Sequence, residues 1–188
     1  MNSKKILLGT LIAVLLTVTT AESVTFDKVD PIPRKPVITD KHLLQQQAKV
    51  EKIKQTKEGK EVFSLVEHFA RLHGVDHKLV KAIILAESGF NHNATSNAGA
   101  QGLMQIKPYK SRLDSAGCYN LYDKHCNIKV GLKHLQGLNA KYNGDLEKVL
   151  AGYNAGCGNV DASLRKHGSI PSYTKPYVKK VLEYRMLF

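Results

Sequence analysis

The spacing of apolar residues predicts a domain made of helices. After residue 61, apolar positions recur every three or four residues in several segments, and no sustained alternation of period two predicts a strand. The predicted helical segments are 63–73, 76–87, 127–142, 145–156, 159–167 and 175–188. The expected fold class is therefore all-α.

The second of these segments ends in an acid where its pattern requires an apolar residue. Asp76 is its expected N-cap, and Glu87 lies seven positions after Val80 on the apolar face. A carboxyl in that position is partly desolvated, which raises its pKa toward the range of a general acid. Because the helical pattern breaks directly after Glu87, we expect this carboxyl at a helix end beside a cleft. The alternative is a glutamate that points into solvent.

The N-terminal residues have the pattern of a targeting segment. A basic start with Lys4 and Lys5 precedes an apolar stretch over 6–18 that is short for a membrane span, and Ala21 ends a set of small residues suited to cleavage. We predict a signal peptide over 1–21 and an exported protein without a stable membrane span after cleavage. An uncleaved anchor is the alternative. Residues 22–60 are expected to form a proline-rich linker and a polar leader, either helical or disordered.

The charge of the chain indicates an anionic partner. The formal net charge is +12, and +10 once Lys4 and Lys5 are removed with the signal. No predicted helix has a dense basic face and no aromatic nucleic-acid motif is present, so nucleic acid is not expected as a partner. An anionic surface such as peptidoglycan fits an exported protein better. The histidines and cysteines have no metal-site spacing, and we expect no metal or cofactor.

The three cysteines allow one disulfide. Cys118 and Cys126 flank a short polar loop, and we favour that pair in an oxidising compartment. Cys157 is then either a free, buried thiol or the partner of one of the other two.

Several ordered blocks carry a family resemblance. They are ESGF from Glu87, ATSNAGAQGLMQI from Ala94, Asn127-Ile128, AGYNAG from Ala151, and Pro176-Tyr177-Val178. In this order they resemble the catalytic domain of soluble-type lytic transglycosylases, which are relatives of goose-type lysozyme. The small members associated with secretion, conjugation or pilus machinery are the most similar, and such a complex is an expected partner. The resemblance implies a lysozyme-like α-helical domain over 61–188 with an active-site cleft.

The resemblance also implies a reaction, which is cleavage of the MurNAc–GlcNAc bond of peptidoglycan. Such cleavage needs an acid for the leaving oxygen, and Glu87 is the candidate. The other acids near the blocks are Asp114, Asp123, Asp145 and Glu147, and none falls at a catalytic position of the family. The family mechanism needs only one carboxyl. The MurNAc acetamido oxygen attacks C1, and Glu87 then deprotonates the 6-OH to give a 1,6-anhydro sugar.

Five further positions are implied as substrate-binding residues. They are Ser96, Gln105, Tyr153, Asn154 and Tyr177. Each has a structural alternative, which is a loop cap for Ser96, a backbone hydrogen bond for Gln105, and a place in the core for Tyr153. Ser88 is expected to shape the turn after Glu87, and Leu103 and Met104 to lie in the core.

The sequence departs from the family at two positions. Lys107 stands where an apolar residue often lines the sugar groove, and Cys157 stands where proline is common. Two other functions remain open, namely a lysozyme-type hydrolase on the same scaffold and a non-catalytic peptidoglycan-binding assembly protein. Product analysis separates the first from a transglycosylase, and a Glu87→Gln variant tests the second.

Overall fold

The structure, a computed structural model, describes residues 39–188, and within them it is helical. The helices are α1 (Lys41–Gln55), α2 (Lys57–Leu72), α3 (His77–Glu87), α4 (Lys110–Ala116), α5 (Lys124–Lys141), α6 (Leu146–Ala155), α7 (Cys157–His167) and α8 (Lys175–Arg185), with a 3-10 turn over Ser172–Thr174. In this part of the chain, β structure is limited to isolated bridges that join Thr95 to Gln101 and Gln101 to Ile106. The all-α prediction is confirmed, whereas α4 was not predicted.

Side-chain caps define where most of these helices begin. The side-chain oxygen of an aspartate or a threonine accepts a hydrogen bond from a first-turn backbone N–H, which otherwise has no partner. The capping residues are Asp40, Thr56, Asp76, Asp123 and Asp145. The caps expected at Asp76 and Asp145 are therefore present.

Helix α3 lies at the centre of the domain, packed against α2 and α8. Seven consecutive residues from Leu79 to Leu85 are buried, as expected of a helix with neighbours on all sides. The one cation among them, Lys81, donates a hydrogen bond to Glu67 at 2.5 Å and lies 4.7 Å from the centre of the Phe63 ring. Because α3 is held on every face, the carboxyl at its C-terminal end has a fixed position.

The segment 41–60, for which the sequence left helix and disorder open, is helical. Leu43 and Val50 lie seven residues apart on one face of α1 and are both buried, and α1 packs against α2 and α8. The domain start expected near residue 61 falls inside α2. The predicted signal peptide and the proline-rich part of the leader lie outside the described residues. No helix within 39–188 has the length and apolar composition needed to cross a membrane.

Cys118 and Cys126 form a disulfide, as favoured from the sequence, and their Cα atoms are 5.5 Å apart. For Cys157 the predicted free thiol is confirmed, whereas its predicted burial and the alternative of a disulfide were wrong. It is neither buried nor paired but an exposed free thiol at the first residue of α7. Its neighbour Gly156 has a φ of +80° and turns the chain out of α6, so that residue 157 starts a new helix at the surface.

Candidate active site

The turn after α3 orients Glu87. Gly89 and Phe90 have φ values of +58° and +71°, a left-handed conformation that ends the helix. The Ser88 hydroxyl donates to the carbonyl oxygen of Leu103 at 2.7 Å and lies 3.2 Å from that of Ile84. Ser88 thus joins the end of α3 to the following loop, as predicted, and Leu103 is buried in the core.

Glu87 lies in a cleft with a volume of about 380 Å³. The cleft is bounded by the end of α3, the loop between α3 and α4, the first turn of α4, one residue of α5 and the end of α6. The predicted site residues that line it together with Glu87 are Ser96, Gln105, Tyr153 and Asn154. Four predicted positions from distant parts of the sequence are therefore brought together around the carboxyl.

The fifth predicted position, Tyr177 on α8, lies behind Glu87 and does not line the cleft. Its hydroxyl donates a hydrogen bond of 2.6 Å to Glu87 Oε1. Burial raises the pKa of Glu87, and this exceeds the opposing effects of the Tyr177 hydrogen bond and the positive charge of Lys180. The site therefore favours a protonated carboxyl while giving its ionised form one strong hydrogen bond.

Both tyrosines near Glu87 remain protonated. Burial, together with the negative charge of Glu87, raises the pKa values of Tyr153 and Tyr177 well above the ordinary value of a phenol. The Tyr153 hydroxyl donates to the carbonyl oxygen of Met104 at 2.7 Å. Tyr153 thus supports the loop that faces Glu87, and Met104 is buried as expected.

The polar groups of Ser96 and Gln105 are partly used by the backbone. Ser96 Oγ accepts from the N–H of Ala100 at 3.0 Å. Gln105 has a φ of +48°, and its side-chain nitrogen donates to the carbonyl oxygens of Ala94 and Gly102. These bonds orient the two side chains and leave the Ser96 hydroxyl hydrogen and the Gln105 side-chain oxygen for a ligand. Asn154 is exposed at the edge of the cleft.

Asn127, quoted in the sequence blocks without a role, organises this loop. It is buried on α5, accepts from the Met104 N–H at 2.7 Å, and donates to the carbonyl oxygens of Gln101 and Leu121 at 2.8 Å each. Gly102 has a φ of +74°, and a Cβ there would overlap Asn127 Nδ2 and the Leu121 oxygen. The close contact between this loop and α5 therefore requires both the amide and the glycine.

Sequence reasoning missed three cleft residues that lie outside the quoted blocks, namely Tyr109, Arg112 on α4 and His134 on α5. The His134 ring centre lies 5.3 Å from that of Tyr153. Burial, assisted by the positive charge of Arg112, lowers the pKa of His134 to about 4, so this imidazole is neutral at pH 7. Arg112 and His134 lie in helical segments without a recognisable motif. Of the basic residues in the cleft, the sequence singled out Lys107 alone, as a departure from the family pattern.

Within residues 39–188, Glu87 is the only carboxyl that lines the cleft. The other acids considered from the sequence lie elsewhere. Asp114 pairs with Lys110, Asp123 and Asp145 are N-caps, and Glu147 is exposed. The described cleft therefore has one carboxyl that can act as a general acid and no second carboxylate. Most glycoside hydrolases use a pair of carboxyl groups.

Residues 64–174, more than half of the chain, match the family model described as Transglycosylase SLT domain. The chain belongs to the transglycosylase SLT family. The match contains Glu87 and the other predicted positions that line the cleft, and it ends three residues before Tyr177. The hydrogen bond that Glu87 accepts from Tyr177 therefore comes from α8, a helix that lies beyond the matched segment.

Curated relatives and a solved structure agree with the SLT assignment. The chain is 33% identical over 120 residues to the membrane-bound lytic murein transglycosylase C of Cronobacter sakazakii, which covers 55% of this chain and 33% of the relative. It is 35% identical over 121 residues to a putative soluble lytic murein transglycosylase of Haemophilus influenzae, covering 55% and 20%. The 70 kDa soluble lytic transglycosylase of Escherichia coli superposes with a TM-score of 0.61 at 27% identity, covering 77% and 28%. The chain spans a third or less of each of these proteins, and the lysozyme-like fold expected for the SLT domain is confirmed.

Proposed function

We propose that this protein is a peptidoglycan lytic transglycosylase that cleaves the MurNAc-(β1,4)-GlcNAc bond and forms 1,6-anhydroMurNAc. The observation that carries the proposal is that Glu87 is the single carboxyl that residues 39–188 place in the cleft, with a pKa raised by burial and a hydrogen bond from Tyr177 behind it. Family membership and the names of the relatives support the same reaction.

In this reaction Glu87 acts twice. As the bond between C1 and the leaving oxygen breaks, protonated Glu87 gives its proton to that oxygen. The acetamido oxygen of MurNAc bonds to C1 in its place. Ionised Glu87, stabilised by the Tyr177 hydroxyl, then takes the proton of the 6-OH, and O6 displaces the acetamido oxygen from C1. Glu87 ends protonated, and the mechanism uses neither a second carboxylate nor water.

The remaining cleft residues have binding roles in this proposal. The Gln105 side-chain oxygen and the Ser96 hydroxyl bind the N-acetyl group or ring hydroxyls, because their other hydrogen bonds hold them in place. Tyr153 positions the loop that carries Gln105, and Asn154 contacts the sugar at the edge of the cleft.

The proposed site of action is the periplasm or the cell exterior. The signal peptide predicted over 1–21 and a disulfide typical of an oxidising compartment support export, and a net charge of +12 fits an anionic cell wall. We further propose that the partner is a secretion, conjugation or pilus complex. This proposal rests only on the resemblance to small family members.

Digestion of purified peptidoglycan tests the proposal. We expect wild type to release 1,6-anhydroMurNAc products by mass spectrometry, and Glu87→Gln to lower the rate at least about 100-fold, because a positioned general acid contributes about that much. Glu147→Gln is the matched control, since Glu147 is an exposed carboxyl outside the cleft. Products with reducing ends would indicate a hydrolase instead. Equal rates for wild type and Glu87→Gln would remove Glu87 from the mechanism, and no cleavage by wild type would favour a binding role.

A further inference from the structure

Two cations face the cleft without a carboxylate partner. Arg112 and Lys107 both line it, and among residues 39–188 neither forms an ion pair. By contrast, Lys110, which lies between them in sequence and outside the cleft, pairs with Asp114 at 2.7 Å. The unpaired cations are therefore the ones that a bound ligand would meet.

The position of Arg112 is defined by its neighbours. Its guanidinium carbon lies 5.4 Å from the centre of the Tyr109 ring, which also lines the cleft. Its positive charge adds to the lowering of the pKa of His134 by burial and partly opposes the raised pKa of Tyr153, and both of these residues line the same cleft. The positive charge of the guanidinium therefore affects the pKa values of buried groups in the cleft, in addition to its contact with Tyr109.

The electrostatics of the cleft favour an anion. Among the described residues that line it, Glu87 is the one carboxyl, and its raised pKa reduces its negative charge, while His134 is neutral at pH 7. A guanidinium has a planar set of N–H donors that matches the two oxygens of a carboxylate, and a partly dehydrated cleft strengthens that interaction. A neutral sugar chain would leave these donors without an anionic partner.

We propose that Arg112, assisted by Lys107, is a specificity residue that binds a carboxylate on the lactyl branch of MurNAc. That carboxylate is either the free lactyl group of a peptide-free strand or an acidic group of the attached peptide. The inference rests on the proposed function, because it takes peptidoglycan as the ligand of the cleft.

Calorimetric titration in the Glu87→Gln background tests binding without cleavage. The three probes are a GlcNAc–MurNAc tetrasaccharide with free lactyl groups, the same tetrasaccharide with peptide stems, and chitotetraose, which has no carboxylate. For Arg112→Gln we expect the ratio of the affinity for a carboxylate-bearing probe to that for chitotetraose to fall about tenfold, and for Lys107→Gln about threefold. Lys110→Gln removes an equal charge from the same helix outside the cleft and should leave the ratio unchanged.

The outcomes separate the sources and the hypotheses. A fall with the peptide-free tetrasaccharide identifies the lactyl carboxylate, and a fall with the peptide-bearing probe alone identifies the peptide. An unchanged ratio for Arg112→Gln, or a fall equal to that of Lys110→Gln, overturns the inference. Binding of chitotetraose reports that the variants are folded. Failure of the wild-type digest described above would refute the proposed function and would leave this ratio measurable.

Discussion

The hydroxyl oxygen of Tyr177 lies 2.6 Å from Oε1 of Glu87, although 90 residues separate the two in sequence. The packing of α8 against α3 brings them together. This hydrogen bond stabilises the ionised carboxyl, whereas burial stabilises the protonated one. Glu87 is therefore held between two opposing influences, which suits a group that must both release and accept a proton.

Removal of the Tyr177 hydroxyl should change how activity depends on pH. Tyr177→Phe removes a hydrogen bond that lowers the pKa of Glu87, so the pKa should rise further. The fall in cleavage rate on the alkaline side, where the general acid loses its proton, should move to higher pH. We also expect kcat to decrease about tenfold, because the ionised carboxyl loses its donor in the second step. Initial rates of peptidoglycan digestion between pH 4 and pH 9 measure both effects.

Tyr184→Phe is the control for this measurement. Tyr184 is a buried tyrosine of the same helix, and its hydroxyl is 3.1 Å from His42 Nε2, on the α1 side of the domain. Its loss should leave the pH profile as in wild type. If the cleavage rates of wild type and Tyr177→Phe fell at the same alkaline pH, the role assigned to Tyr177 would be contradicted.

Glu87 should reduce the stability of the fold at neutral pH. Burial raises the pKa of Glu87 in the native state above its ordinary value of 4.5, which applies in the unfolded state. At a pH between the unfolded-state and native-state pKa values, the native state therefore binds more protons than the unfolded state. The free energy of unfolding therefore decreases as pH rises through this window. We expect Glu87→Gln to have a Tm about 2–4 °C higher than wild type at pH 7, the shift that about 1 kcal/mol produces in a domain of this size. The difference should vanish below pH 4.5 in calorimetric scans.

The exposed Glu147 again provides the comparison. Glu147→Gln should change Tm little at either pH, since a solvated carboxyl has similar surroundings in both states. A stabilisation by Glu87→Gln that is equal at pH 4 and pH 7 would show that packing, and not the charge of Glu87, is its cause.

Asn127 should be essential for the loop that carries Gln105. Asn127→Ala leaves the Met104 N–H and the carbonyl oxygens of Gln101 and Leu121 without their side-chain partner in a buried place. We expect the free energy of unfolding to fall by about 3 kcal/mol in urea titrations, together with lower cleavage activity. Asn139→Ala, at an exposed position of the same helix, should cost less than about 0.5 kcal/mol. Equal losses in the two variants would refute this role.

The sequence was sufficient for features that depend on local patterns. The cap at Asp76, the apolar stripe of α3 and the acid at its end were all readable, because each depends on residues within one helix. Family motifs then identified four positions that line the cleft. Helix α4 was missed because it has seven residues and no side-chain cap, so neither its period nor its start was visible.

Features that depend on packing between distant segments were not accessible from the sequence. Tyr177 was predicted as a substrate ligand, and its contact with Glu87 follows only from the position of α8 against α3. Arg112 and His134 occupy ordinary helical positions, and the cleft exists only once α4 and α5 are placed beside α6. The pKa of His134 in particular depends on burial that no spacing encodes.

The free thiol of Cys157 also has a practical consequence. The other two cysteines of the sequence are joined to each other, so Cys157 is the single reactive sulfhydryl in the chain, and it is exposed. It directly follows Gly156, which lines the cleft. A maleimide fluorophore would therefore attach to the wild-type protein at one defined place, beside the cleft and without any engineered residue. The chain thus has a natural attachment point for an optical reporter of when the cleft fills and empties.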